Sequence, residues 1–148
     1  MARSAFALRQ GEGEELPVLG AGVRFLCEAA RTEGRFSLME VELPKDEGPP
    51  PHDHPWDEAY YVLDGEVRFV VGDAVAVYRK GDFVYAPGGT VHSFKGASAA
   101  PARVLVFDAP AAAEKFFKEV AREVASPADH AKVPAIGLKH GLRFKKPA

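Results

Sequence analysis

The sequence predicts an all-β fold, an antiparallel sandwich or barrel, with a short helical appendage at its end. Three features carry that reading. Between Val23 and Phe107, short runs rich in Val, Phe, Tyr and Leu are separated by closely spaced turn signals built on Gly or Asp. The early runs carry apolar groups on both faces, as a covered sheet requires. A helical period appears only after Pro110.

Residues Met1 to Val18 are polar and glycine-bearing, and read as a loosely held arm. A frayed terminus is the simpler account of it, a strand exchanged between subunits the functional one. Gly20-Ala-Gly22 marks a turn, Val23 to Ala29 a strand, and Arg31-Thr-Glu-Gly34 the next turn. Phe36 to Leu43 follows as a strand, with Phe36 and Leu38 on one face and Met39, Val41 and Leu43 alternating with them. In the loop Pro44 to Pro51, three consecutive prolines favour a stiff, extended approach to His52.

Glu58 to Leu63 and Glu66 to Val71 read as a hairpin about Asp64-Gly65. Gly72-Asp73 turns the chain into Ala74 to Tyr78, and Lys80-Gly-Asp82 turns it into Phe83 to Ala86. Thr90 to Lys95 and Ala102 to Phe107 complete the strands. After them Phe116, Val120 and Val124 recur every four residues, and Glu114 can pair with Lys118. Pro110 suits the first turn of that helix. Ser126-Pro127 reads as the start of a second, shorter helix, interrupted by Pro134 and closed near Gly141. The basic residues from Leu142 to Ala148 read as surface-bound or loose. No repeat or linker divides the chain, so the expectation is one domain over 1–148, with a barrel core at about 20–110 and a helical extension over 111–144.

A net charge of −2 gives no reason to expect nucleic acid or an anionic membrane as partner. No apolar run reaches the length of a membrane span, and the first residues lack an apolar signal core. A cytoplasmic location is the default. Cys27 is the only cysteine, so no internal disulfide can form, and it reads as a buried small hydrophobe. His130 and His140 lie in the helical tail and read as surface residues, and Asp57 as a solvated turn residue.

Chemistry concentrates in Gly48 to Gly65. His52 and His54 stand two residues apart, so both imidazoles can reach one point from an extended strand. Pro55-Trp56-Asp57 can turn the chain and return Glu58 beside the rings. His92 lies downstream in Gly81-Asp-Phe-Val-Tyr-Ala-Pro87-Gly-Gly89-Thr-Val-His92. Two imidazoles and a carboxylate already make a partial shell for a divalent metal.

The first stretch reads H-x-H-x3-E-x6-G and the second G-x5-P-x-G-x2-H. In that order they resemble the two signature motifs of the cupin superfamily. From about Gly20 to Phe144 the chain resembles small single-domain bacterial cupins described as quercetin-dioxygenase-like. The resemblance implies a double-stranded β-helix (jelly-roll) barrel, a dimer, and His52, His54, Glu58 and His92 as ligands of one divalent transition metal. The second motif often ends in Asn, where this chain has Gly96.

Three imidazoles and a carboxylate suit Fe, Ni, Mn, Zn or Cu, and affinity order does not choose among them. Alternation puts Tyr60 on the face of Glu58, and Thr90 and Phe94 on the face of His92, with Trp56 as a wall or lid. That lining suits a small organic molecule, aromatic ones included, better than a sugar phosphate. Two classes of function follow. One is a metal-dependent dioxygenase, with isomerase chemistry as a variant and Glu58 as ligand or as base. The other is a non-catalytic protein that holds metal and a small ligand for sensing or storage. Uncovered apolar faces on the early strands point, with the resemblance, to a homodimer.

Overall fold

Alternation along each strand divides the chain into an inner and an outer set of side chains. In the computed structural model, which describes residues 3–145, the strands form two antiparallel sheets. The first holds β1 (Glu15–Val18), β2 (Ala21–Cys27), β3 (Ser37–Leu43), β10 (Ala102–Ala109), β5 (Asp57–Asp64) and β8 (Phe83–Ala86), paired in that order. The second holds β11 (Arg143–Phe144), β4 (His52–Asp53), β9 (His92–Gly96), β6 (Glu66–Val71) and β7 (Ala74–Arg79). Helices α1 (Ala113–Glu123) and α2 (Val133–Lys139) follow the main sheets, joined through a 3-10 segment over Pro127–Lys132. Two facing antiparallel sheets with this order make a jelly-roll.

The inner faces meet in an aromatic cluster. Tyr60 of the first sheet lies 5.1 Å from Phe69 and 5.2 Å from Phe94 of the second, ring centre to ring centre. Val62, Val67 and Val104 are fully enclosed beside them. Each such side chain contributes about 1.5–3 kcal/mol by leaving water.

Several expectations are corrected. Asp64-Gly65 is not a hairpin: β5 pairs with β10 and β8, while β6 pairs with β9 and β7, so the chain changes sheets there. Gly65 takes a φ of +74°, and a Cβ on it would come 2.9 Å from the Cα of Ala102, so the corner requires glycine. The expected turn at Gly72-Asp73 does close a hairpin, β6–β7. Gly96, where the family pattern often has Asn, packs so closely that a Cβ would lie 2.4 Å from the Pro44 carbonyl oxygen.

The arm is not wholly loose, because β1 pairs with β2 of its own chain from Glu15↔Arg24 to Val18↔Ala21. Strand β2 ends at Cys27, and Ala29–Arg31 is a 3-10 turn. Cys27 is half-buried, and the partial burial raises its thiol pKa, which disfavours the thiolate. Pro110 precedes α1 rather than opening it, joined to Ala109 by a cis peptide bond. Helix α1 starts at Ala113, where the Asp108 carboxylate accepts the Ala112 and Ala113 N–H groups at 3.1 and 3.0 Å. Pro134 stands in the first turn of α2 and interrupts nothing, since a first-turn N–H has no partner to lose. Leu142 is buried and Arg143–Phe144 forms β11, so that part of the tail is neither loose nor merely surface-bound. The last three residues of the tail lie outside the described ones.

Candidate metal centre

Strand β4 is only two residues long, yet it sits between two partners. His52 pairs with His92 of β9 on one side and with Phe144 of β11 on the other. His52 and His54 turn to one side of it, with ring centres 5.7 Å apart, and Asp53 faces the other way. Glu58 enters from β5, in the opposite sheet. The four side chains each offer a ligand atom, these atoms all lie within 4.8 Å of one another, and all four residues are buried. The group could hold a metal ion.

Hydrogen bonding fixes the ring tautomers. Each Nδ1 faces a backbone carbonyl: His52 that of Pro50 at 2.7 Å, His54 that of Trp56 at 2.9 Å, His92 that of Thr90 at 2.8 Å. A carbonyl oxygen only accepts, so each Nδ1 must carry the proton and donate it. The lone pair then belongs to Nε2. Yet His54 and His92 present Nε2 to Glu58 Oε1, at 3.0 and 3.2 Å. A lone pair against a carboxylate oxygen repels unless a cation stands between them, and that cation is a proton or a metal ion. Metal-ligating histidines commonly show this pattern, with the far nitrogen donating to a backbone carbonyl. The donor set therefore fits the metal that the sequence motifs imply.

The electrostatics agree. Burial lowers His52 to about 4, assisted by the neighbouring His92. Burial alone would raise Glu58, but hydrogen bonds from His54 and His92 outweigh it and hold the carboxyl below its usual range. Burial alone would lower His92, and Glu58 reverses that, so its pKa is raised. The Tyr60 hydroxyl donates to Glu58 Oε1 at 2.6 Å. Its burial, with Glu58 alongside, raises its pKa well above the ordinary value and keeps it a donor.

Beside the centre lies a cavity with about 50 Å³ of free space. Among the described residues, its only polar side chains are His52 and Glu58. Val41, Leu43, Phe94 and Val106 line it from the strands, and Val18 and Leu19 from the β1 end. Phe116, Phe117, Leu142 and Phe144 close it from the C-terminal extension. Of the four residues assigned to the pocket face, Phe94 lines this cavity. Tyr60 lies in the core behind Glu58, and Trp56 stacks on His54 outside the lining, its Nε1 buried without a protein acceptor. Thr90 contributes its carbonyl to His92 rather than a side chain to the cavity.

Asp57 is exposed at the start of β5 and accepts the Gly88 N–H at 2.8 Å. His130 is exposed, whereas His140 is half-buried against Glu119 at 3.1 Å. Asp53 escaped notice in the sequence. It is 4% exposed and receives Arg143 Nε and Lys145 Nζ, each at 2.9 Å. Its signal was its place between two candidate ligands on an alternating strand.

The cupin domain family matches residues 39–108, the segment that contains all four residues of the centre. Residues 39–108 form a cupin domain. It is 29% identical over 91 residues to quercetin 2,3-dioxygenase of Bacillus subtilis (strain 168), a match covering 61% of this chain and 27% of that protein. The chain thus spans about a quarter of the length of that curated relative. Among solved structures, the polyketide cyclase RemF of Streptomyces resistomycificus superposes with a TM-score of 0.63 at 23% identity, over 72% of this cupin and 80% of RemF. An RmlC-like cupin of Shewanella frigidimarina NCIMB 400 gives 0.64 at 18% identity, over 75% and 96% of the two chains. These structural likenesses show the fold.

Proposed function

We propose that this cupin is a metal-dependent dioxygenase acting on a small organic compound, with His52, His54, Glu58 and His92 holding one divalent transition metal. The observation that carries the proposal is the convergence of Nε2 lone pairs and a carboxylate on one buried point beside an apolar cavity. Three nitrogens and one oxygen suit Fe, Ni, Mn, Zn or Cu, and four protein donors leave two positions of an octahedron open. A redox-active ion would supply the one-electron and dioxygen chemistry that side chains lack.

The chain's own residues do the rest. The three backbone carbonyls aim the rings, and Tyr60 holds Glu58 in place. Glu58 stands among the ligand nitrogens, so its part in the proposal is to ligate the ion. The lining is apolar apart from His52 and Glu58 and contains no Lys or Arg among the described residues. Any negative charge on a substrate would have to be met by the ion itself, because no cationic side chain lines the cavity among the described residues. Likeness to quercetin 2,3-dioxygenase supports oxygenation, over the aligned segment alone. The same centre without turnover would make a sensing or storage protein.

One experiment separates these readings. The protein is purified anaerobically, its metal content is measured, and oxygen uptake is followed with substrates graded from small aliphatic carbonyl compounds to flavonols. Iron or nickel with substrate-dependent uptake supports the dioxygenase. Zinc with ligand binding and no uptake refutes it in favour of a binding protein.

A homodimer belongs to the same proposal. On the outer face of the first sheet, Tyr61, Phe83, Tyr85 and Phe107 are 44, 61, 51 and 38% exposed. Tyr61 pairs across the strands with Phe83, and Phe107 with Ala59, so the rings form one patch. Aromatic side chains bury about 200 Å² each, so the four offer about 400 Å² as the apolar centre of an interface. A standard interface takes about 800 Å² per partner. A second copy related by a two-fold axis matches such a patch with itself.

A further inference from the structure

The residues that close the cavity come largely from outside the family-matched segment. Residues 39–108 supply Val41, Leu43 and Val106 of the strand walls, the ligands and Phe94, while Val18, Ala21 and Val23 add wall from β1 and β2. Phe116, Phe117, Leu142 and Phe144 come from the C-terminal extension. The extension is fastened at both ends. At its start, Asp108 accepts two N–H groups of α1, the Ala29 N–H donates to Glu114 Oε1 at 2.8 Å, and Lys118 pairs with Glu28 at 3.2 Å. At its end, β11 pairs with β4, and Arg143 and Lys145 both bind the Asp53 carboxylate. Phe116 and Phe144, ring centres 6.1 Å apart, tie the two ends together. Buried and half-buried contacts of this density describe a wall rather than a frayed tail.

We infer that this extension is a fixed specificity wall, in which Phe116, Phe117, Leu142 and Phe144 restrict the site to molecules of a few heavy atoms and exclude aromatic rings. The inference rests on the proposed function for the site's being a substrate site. An apolar cavity of about 150 Å³ accepts benzene, and the cavity here has about 50 Å³. That is room for a few waters, a xenon atom or a short aliphatic molecule. The chain therefore shares the centre's residues with its family segment and selects its substrate with residues the segment lacks. A flavonol, several rings across, does not enter.

The test uses the full-length, metal-free chain with labelled methyl groups, followed by NMR. Xenon, benzene and the flavonol quercetin are titrated, and the methyls of Val41, Leu43 and Val106 report occupancy. In the unmodified protein xenon shifts these methyls, whereas benzene and quercetin give no saturable shift. Phe117→Ala frees the volume of a ring, and benzene then binds at the same methyls at least 10-fold more tightly. Phe144→Leu, a milder change for a chain that must still form β11, gives a smaller gain in the same direction. Saturable benzene or quercetin binding by the unmodified protein overturns the inference. So does a folded Phe117→Ala chain that still excludes benzene. Metal content measured on parallel samples reports on the centre separately: a chain that gates benzene as described but holds no metal keeps the wall and loses the proposed enzyme.

Discussion

The indole of Trp56 lies flat on the imidazole of His54, with ring centres 3.9 Å apart and planes 3° from parallel. Trp56 is the only tryptophan in the chain and is 4% exposed. Its emission therefore reports the state of a candidate ligand without any label. Titrating metal-free protein with Ni(II) or Cu(II) should quench that emission and saturate at one ion per chain. Unchanged emission while metal binds would place the ion away from His54.

The Tyr60 hydroxyl donates to Glu58 Oε1 at 2.6 Å. Tyr60→Phe keeps the ring in its aromatic cluster and removes only that bond. A buried hydrogen bond to a charged acceptor is worth about 1.5–3 kcal/mol. Urea unfolding of the variant should show a loss of that size, with the folded-state aromatic circular dichroism retained. A loss under 0.5 kcal/mol, on the order of an exposed pair, would mean that Glu58 does not depend on Tyr60.

Asp108 has no exposed surface and accepts Ser37 Oγ and two backbone N–H groups of α1. Asp108→Ala leaves three donors without that acceptor, two of them buried, at a cost of about 1–3 kcal/mol for each buried unsatisfied group. Thermal unfolding should show a large loss in Tm, and amide exchange should quicken first in α1. Uniform exchange across the chain would deny Asp108 its part in mounting the extension.

Acidity acts on the metal-free protein in two opposed ways. Burial holds His52 at about 4, against 6.5 for a free histidine. Between those values the unfolded chain takes up the proton more readily, so the His52 contribution to stability falls as pH drops from 6.5 to 4. His92 is shifted upward, so its contribution is full below 6.5 and is lost as pH rises through the raised value. His52→Gln removes the first effect alone. Between pH 6.5 and 4 the variant should lose less stability than the parent, by on the order of 3 kcal/mol. Parallel urea-unfolding curves for the two proteins across this window would contradict the assignment.

The exposed rings of the first sheet make a further prediction. Equilibrium sedimentation should give twice the mass of one chain, and Phe83→Lys with Tyr85→Lys should give one. A monomeric parent would remove the homodimer from the account.

Much of the fold was legible, and the reason lies in period. Runs such as Glu66–Val71 and Phe83–Ala86 alternate between Gly-marked turns, and their bounds follow from that pattern. Partner choice was not legible. Asp64-Gly65 has the composition of a hairpin, and only the competition between β10, β8 and β6 for neighbours decides that the chain changes sheets there. His92 joins the centre through the resemblance of the second motif, whereas the gathering of His52, His54 and Glu58 follows from their spacing on strands that return to one place. The cavity does not. Phe144 reaches it because two residues of β11 find β4, a pairing with no local signal in a basic tail. Tyr60 shows the limit of face arguments: it shares the face of Glu58, yet serves that carboxylate from the core rather than the cavity.

The most direct measurement is the metal content of protein produced without added metal, alongside His92→Ala, with circular dichroism on both. The account predicts close to one transition-metal ion per parent chain, and strong depletion in a variant that keeps its β spectrum. A folded parent that carries no metal and takes none up, or a variant as fully loaded as its parent, would contradict it.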